Sequence, residues 1–240
     1  KLTLGNSCNN NDLTEPLPDN SITKQITHIK EVWNSNKYTD YGIERAIRLF
    51  LVCVQFIFPG LYIRAIAKTR LDRKILNEFY VNLKIFIYIV FLCIPLPKWI
   101  CYICIYLITE TLCYLLGLIF LEPEYNNLKY SYKRNLILVI INYIEITLGF
   151  AVIYLHGFTK GVTELNTPID AIYFSFISTT TVGYGDMYPI TNWSKIICAT
   201  QSLISFLFVV FLISKFLSNF NKDSTPNGKS QKENQSTQGN

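Results

Sequence analysis

The run Thr167-Pro168-Ile169-Asp170-Ala171-Ile172-Tyr173-Phe174-Ser175-Phe176-Ile177-Ser178-Thr179-Thr180-Thr181-Val182-Gly183-Tyr184-Gly185-Asp186 decides how the rest of the chain is read. It opens with the signals of a helix start: a threonine suited to capping, proline at the first helical position, and an acid in the first turn. From Pro168 to Thr180 such a helix is about 20 Å long, too short for a hydrocarbon core of about 30 Å. Beyond it, Gly183 and Gly185 stand at alternate positions and open backbone angles that residues with a Cβ disfavour.

Long apolar segments lie on both sides of this half-helix. Leu136 to Leu155 contains a single charge, Glu145, and Ile196 to Leu217 contains only Lys215. Neither has the polar stripe of a soluble core helix, and each is long enough to cross a bilayer. A capped half-helix between two spans predicts a re-entrant segment, tolerated at membrane depth where protein or a watery cavity surrounds it. The flanking spans are predicted over Asn135–Leu155 and Trp193–Leu217. Three more are predicted upstream, over Ala46–Ile66, Phe79–Leu96 and Trp99–Leu121, with Pro95-Leu96-Pro97 ending the second.

Composition agrees with an all-α integral membrane protein. Half of the 240 residues are hydrophobic and 16% are charged, against about 25% in soluble domains. The net charge of +5 does not imply nucleic acid, because the basic residues flank apolar segments. Clusters at Lys68, Arg70, Arg73 and Lys74, at Lys129, Lys133 and Arg134, and at Lys222, Lys229 and Lys232 mark the inner side. The resulting weave puts the carboxyl terminus in the cytoplasm and Lys1 to Tyr41 outside; an additional upstream span would bring the total to six. No cleavable signal peptide is visible. The predicted organisation is a polar segment over 1–45, three transmembrane helices over 46–121, a pore domain over 135–218 and a disordered tail over 219–240.

Six of the seven cysteines lie in apolar runs and act as small hydrophobes. Cys101 and Cys104 form a C-x-x-C, but no histidine or second pair accompanies them, which argues against a metal or redox site. His28 and His156 have no nucleophile or metal spacing around them, so an enzyme is not expected and no cofactor is implied.

The five residues Thr181-Val182-Gly183-Tyr184-Gly185 suit a different chemistry. Four copies can present rings of backbone carbonyls that replace the hydration shell of K⁺. On this reading K⁺ is held by the carbonyls of Thr181, Val182, Gly183 and Tyr184, with the Thr181 hydroxyl at the inner end. Val182 and Tyr184 are expected to turn away and pack against the pore helix, whose negative pole near Thr180 favours a cation.

Around these residues the sequence resembles the pore module of tetrameric potassium channels, of the bacterial outer-helix, pore-loop, inner-helix type, over Asn135 to Leu217. The similarity continues past the filter through Tyr184-Gly185-Asp186-Met187-Tyr188-Pro189 to Thr191 and Trp193. The resemblance implies a potassium-channel pore module (two spans plus a re-entrant pore helix) preceded by about three further transmembrane helices. It also implies a passive K⁺ channel in the plasma membrane, assembled with three identical subunits in the lipid bilayer. By the same match, Asp186 sits at the outer mouth, and Tyr173 and Phe174 brace Tyr184. Two departures stand out: Ile177 replaces a glutamate behind the filter, and Ser205 stands where many inner helices carry a hinge glycine.

Ser202, Phe206, Val209, Ile213 and Phe216 share one helical face. They either line a cavity narrowing near Ile213 and Leu217 to a hydrophobic gate, or contact lipid and neighbouring helices; periodicity does not separate the two, and the resemblance favours the cavity. Glu110 and Glu145 have two readings as well. One is a proton or ion sensor, and the other is a carboxyl hydrogen-bonded to a nearby helix, with Asn142 a partner for Glu145. Trp99 to Leu121 has no arginine, so weak voltage dependence is expected. Asn192-Trp193-Ser194 matches a glycosylation acceptor and is taken as coincidence. A transporter subunit or a non-conducting partner subunit are the competing classes; the lone, intact filter argues against both.

Overall fold

The computed structural model describes residues 43–66, 69–120, 132–157 and 161–224, together with residue 30. Apart from residue 30, the polar segment 1–41 lies outside the described residues, as do the tail beyond 224, Lys68 and Lys129. Seven helices are described: α1 Ile43–Gln55, α2 Pro59–Ile66, α3 Arg70–Cys93, α4 Ile100–Phe120, α5 Tyr132–Val152, α6 Pro168–Thr179 and α7 Asn192–Ser224. Val162 and Pro189 form an isolated antiparallel β-bridge.

The protein is thus a helical membrane protein. Among the described residues, four helical stretches are long and apolar enough to span: Ile75–Cys93, Ile100–Gly117, Ile137–Gly157 and Asn192–Ile213. The expected first span, Ala46–Ile66, is instead broken into α1 and α2. Three tightened bonds, from the N–H of Phe56, Ile57 and Phe58 to the carbonyls of Cys53, Val54 and Gln55, close α1. Pro59 then restarts the chain as the first residue of α2, where its missing N–H costs nothing. At 13 and 8 residues, neither half crosses the bilayer alone.

α3 begins earlier than expected because Thr69 and Asp72 form a reciprocal cap. It ends before Pro95, as the proline pair predicts. α5 runs into a π-helical turn, Ile153–Gly157. Gly149 permits close packing here: a Cβ on it would lie 2.9 Å from Ile108 Cδ1 and 3.1 Å from Tyr88 Cζ. α3, α4 and α5 therefore meet at a residue without a side chain, a common device between membrane helices.

The same three helices share a buried polar cluster. Lys84 Nζ lies 3.0 Å from Glu145 Oε1 and donates to Thr111 Oγ1 at 2.7 Å, while Thr111 Oγ1 also approaches Glu145 Oε1 at 2.9 Å. Glu110 accepts from Gly60 N–H at 2.8 Å and from Tyr80 OH at 2.6 Å, tying the α1–α2 break to α3 and α4. Both carboxyls face protein, but Glu145 is partnered by Lys84 and Thr111 rather than by Asn142. The reason is geometric: Asn142 precedes Glu145 on the same helix, whereas Lys84 and Thr111 approach from helices packed on it.

Candidate functional site: the pore loop

The half-helix α6 has the predicted start. Thr167 Oγ1 accepts from Asp170 N–H at 3.2 Å, and an Asp170 carboxylate oxygen accepts from Thr167 N–H at 2.7 Å and Asn166 N–H at 3.1 Å. The Thr167 side chain, followed by these backbone donors, holds the Asp170 carboxyl below the usual carboxylate range. Glu164 just ahead takes a left-handed φ of 56°.

α6 is set deep in the helix bundle. Phe174 is 2% exposed and meets Tyr154 edge-on, with ring centroids 4.9 Å apart. Ser175 Oγ donates to Thr147 O at 2.6 Å and Tyr143 OH donates to Thr179 O at 2.9 Å, so α5 holds the second half of α6. Gln201 of α7 donates through Nε2 to Ser175 O, Ser175 Oγ and Thr179 Oγ1, and accepts at Oε1 from Tyr154 OH.

The residues after Thr180 hang from the end of this helix. Val182 N–H and Gly183 N–H both return to Ile177 O, at 3.0 and 3.3 Å, and Thr181 N–H returns to Ser178 O at 3.3 Å. Backbone φ is +59° at Thr181, +53° at Gly183 and +82° at Gly185. Left-handed angles thus fall at every second residue, the alternation that turns successive carbonyls toward one side of an extended segment. The sequence signals this at the two glycines. Thr181 was not foreseen: for a residue with a Cβ the left-handed region costs on the order of 1–2 kcal/mol, and such strain gathers at functional sites.

Val182 and Tyr184 are 52% and 73% exposed in the single chain, whereas Phe174 and Ile177 of α6 are buried. Of the pair expected to brace Tyr184, Phe174 meets Tyr154 and the Tyr173 OH donates to Asp186 Oδ2 at 2.7 Å. This phenol is the main reason that the Asp186 carboxyl lies below its ordinary range.

Downstream, Ile190 N–H bonds Gly161 O at 2.7 Å and Thr163 N–H bonds Tyr188 O at 3.0 Å, strapping residues 188–190 to the segment before α6. Ser194 caps α7 with Thr191 and donates to Gly161 O at 2.6 Å. Ser194 is fully buried, while Asn192 beside it is exposed. On α7, Phe206, Val209 and Ile213 are exposed and Ser202 is half-buried, but Leu203, Leu207 and Val210 are exposed as well. Exposure in one chain therefore leaves the stripe's two readings where periodicity left them; the side chains of Phe216 and Leu217 lie outside the described residues.

An outer helix, a capped half-helix, a strained extended segment and a long inner helix define a channel-type pore module within a helical membrane protein. The comparisons agree with that class: residues 138–222 match the ion channel family model Ion_trans_2, and this part of the chain is similar in sequence to several potassium channels. Its relatives include two-pore potassium channel 5 of Arabidopsis thaliana, 33% identical over 84 residues, which is 35% of this chain and 20% of that protein. Potassium channel K2 of Plasmodium falciparum (isolate 3D7) is 48% identical over 48 residues, 20% of this chain and 3% of that protein. Potassium voltage-gated channel subfamily A member 4 of Homo sapiens is 28% identical over 96 residues, 40% of this chain and 15% of that protein. The chain spans a fifth or less of the length of these relatives.

Sequence reading missed Lys84 and Gln201. Lys84 carried a signal, as a lone cation within an apolar run opposite a lone buried acid. Gln201 carried none, because a single amide on a uniformly apolar helix does not announce what it faces.

Proposed function

We propose that the chain is a subunit of a K⁺-selective channel that conducts passively through Thr181-Val182-Gly183-Tyr184-Gly185, with no catalytic step. The observation that carries the reading is the alternation of left-handed φ at Thr181, Gly183 and Gly185, together with filter N–H groups turned back to Ile177. Turning these donors toward the pore helix leaves the carbonyl oxygens to serve an ion. One pore loop per chain calls for four subunits around an axis, and the exposed Val182 and Tyr184 are the side chains that neighbouring subunits would cover. Four identical subunits are the simplest such assembly. Asp186, held by Tyr173, places a carboxylate at the outer mouth.

Steep voltage sensing is not part of this reading. The helix before the pore domain, α4, has no lysine or arginine, and Lys84 in α3 is engaged with Glu145. The basic clusters favour a cytoplasmic carboxyl terminus, and a plasma membrane is the location proposed with it. Purified protein in liposomes, with K⁺ on one side and Na⁺ on the other, should give a reversal potential set by K⁺ and a particle of four chains. Equal passage of Na⁺, or assembly without fourfold symmetry, overturns the proposal.

A further inference from the structure

The filter has no rigid support of its own, because its first amides hang from the last turn of α6. Where that turn sits decides where the carbonyls sit. Two groups hold it from behind. Tyr143 reaches the Thr179 carbonyl from α5, and Gln201 reaches Thr179 and Ser175 from α7. The Gln201 side chain is 1% exposed, and both ends of its amide are used. Nε2 lies 2.5 Å from Thr179 Oγ1, 2.9 Å from Ser175 Oγ and 3.0 Å from Ser175 O, while Oε1 accepts from Tyr154 OH at 2.7 Å. Ser175 passes the chain on to Thr147 O. One amide therefore joins the outer, pore and inner helices two residues before Thr181.

Such an amide is costly to bury, and an apolar side chain of the same length would fill the space without an unmet hydrogen bond of its own. Its placement is better explained by what it fixes than by net stability. The amide is both donor and acceptor, so it sets the separation of α6 and α7 and also their register, which apolar packing alone leaves free to slide. We propose that Gln201 is a positioning residue for ion selection: through Ser175 and Thr179 it holds the end of the pore helix at the height that keeps the Thr181 to Tyr184 carbonyls spaced for K⁺. This rests on the channel reading above.

The test uses the full chain in liposomes, comparing wild type with Gln201→Met, Thr179→Val, the double variant, and Tyr154→Phe. Two quantities are read together: assembled mass, and the K⁺/Na⁺ permeability ratio from the reversal potential. Gln201→Met should assemble and lower the ratio about tenfold, equivalent to about 1.4 kcal/mol. Thr179→Val, which removes one acceptor and keeps the shape, should lower it about threefold. The double variant should be no worse than Gln201→Met alone, because both changes cut the same link. A purely structural amide would change assembly and leave the ratio alone.

An assembled Gln201→Met with an unchanged ratio overturns the proposal, as does a double variant whose losses multiply. If Gln201→Met fails to assemble, Thr179→Val and Tyr154→Phe decide: a lowered ratio in either supports the role, and unchanged ratios in both overturn it. A wild type that does not prefer K⁺ overturns the channel reading itself, before any variant is compared.

Discussion

The Lys84–Glu145 pair offers a quantitative test of how the helices ahead of the pore are attached to it. The two side chains are 4% and 0% exposed and 3.0 Å apart. At that distance the Coulomb attraction is about 5–6 kcal/mol for an effective dielectric of 20. Removing both ions from water costs several kcal/mol each, so the pair is close to neutral overall. Breaking it is another matter. Lys84→Met leaves a buried carboxylate with Thr111 as its remaining partner, and Glu145→Leu leaves a buried ammonium; each should cost about 3–5 kcal/mol. Lys84→Met combined with Glu145→Leu should return to within about 1 kcal/mol of wild type. The assay is denaturant-induced unfolding of detergent-solubilised protein, following the midpoint at constant slope. If the double variant is as unstable as either single one, the loss does not come from an uncompensated charge and the reasoning fails.

Other changes have distinct readouts. Gly149→Ala pushes a methyl to 2.9 Å from Ile108 Cδ1, so thermal stability should fall by about 1–3 kcal/mol without altering permeability ratios. Gly183→Ala meets no atom within 4 Å, so its effect is backbone strain at φ +53°, about 1–2 kcal/mol, read as lost K⁺ selectivity in a protein that still assembles. Asp186 is held below its ordinary range, so the Tyr173 contact is complete above the ordinary carboxylate pKa and is lost as pH falls through the depressed one. Tyr173→Phe should move acid titration of the outer mouth, followed by K⁺ current against external pH, toward higher pH; an unmoved titration argues against the contact. Glu110→Gln keeps one acceptor and turns a donor toward Gly60 N–H or Tyr80 OH, costing about 1–3 kcal/mol in the same unfolding assay.

The pore module was legible because its signals are local. A capping threonine, a proline at the first helical position and two alternate glycines act within a few residues, and each reappears where the sequence places it. The first span misled because hydropathy integrates over about twenty residues, whereas Pro59 acts at one. Periodicity also predicts which face a residue occupies but not what arrives there. Phe174 and Tyr173 are adjacent in sequence, yet one enters the core against Tyr154 and the other reaches Asp186. That separation follows from the helical turn between them and from how deeply α6 is set against α5, neither of which a motif records.

The polar contacts also explain why the helices ahead of the pore and the pore itself make one packed unit. α5 and the π-helical turn that continues it face α6 and Gln201 with Tyr143, Thr147 and Tyr154, and α5 faces α3 and α4 with Glu145 and Gly149. These residues lie on a single helix, so a displacement of α3 large enough to move Lys84 must either break the ion pair or drag α5 with it. Breaking the pair leaves a buried charge, at about 3–5 kcal/mol, whereas shifting packed helices by a fraction of an ångström exchanges contacts of similar kind. The cheaper response is movement of α5, and α5 holds the Thr179 carbonyl through Tyr143. α5 thus links α3 and α4 to the end of α6: Lys84 and Thr111 reach it at Glu145, and from it Tyr143 reaches the Thr179 carbonyl.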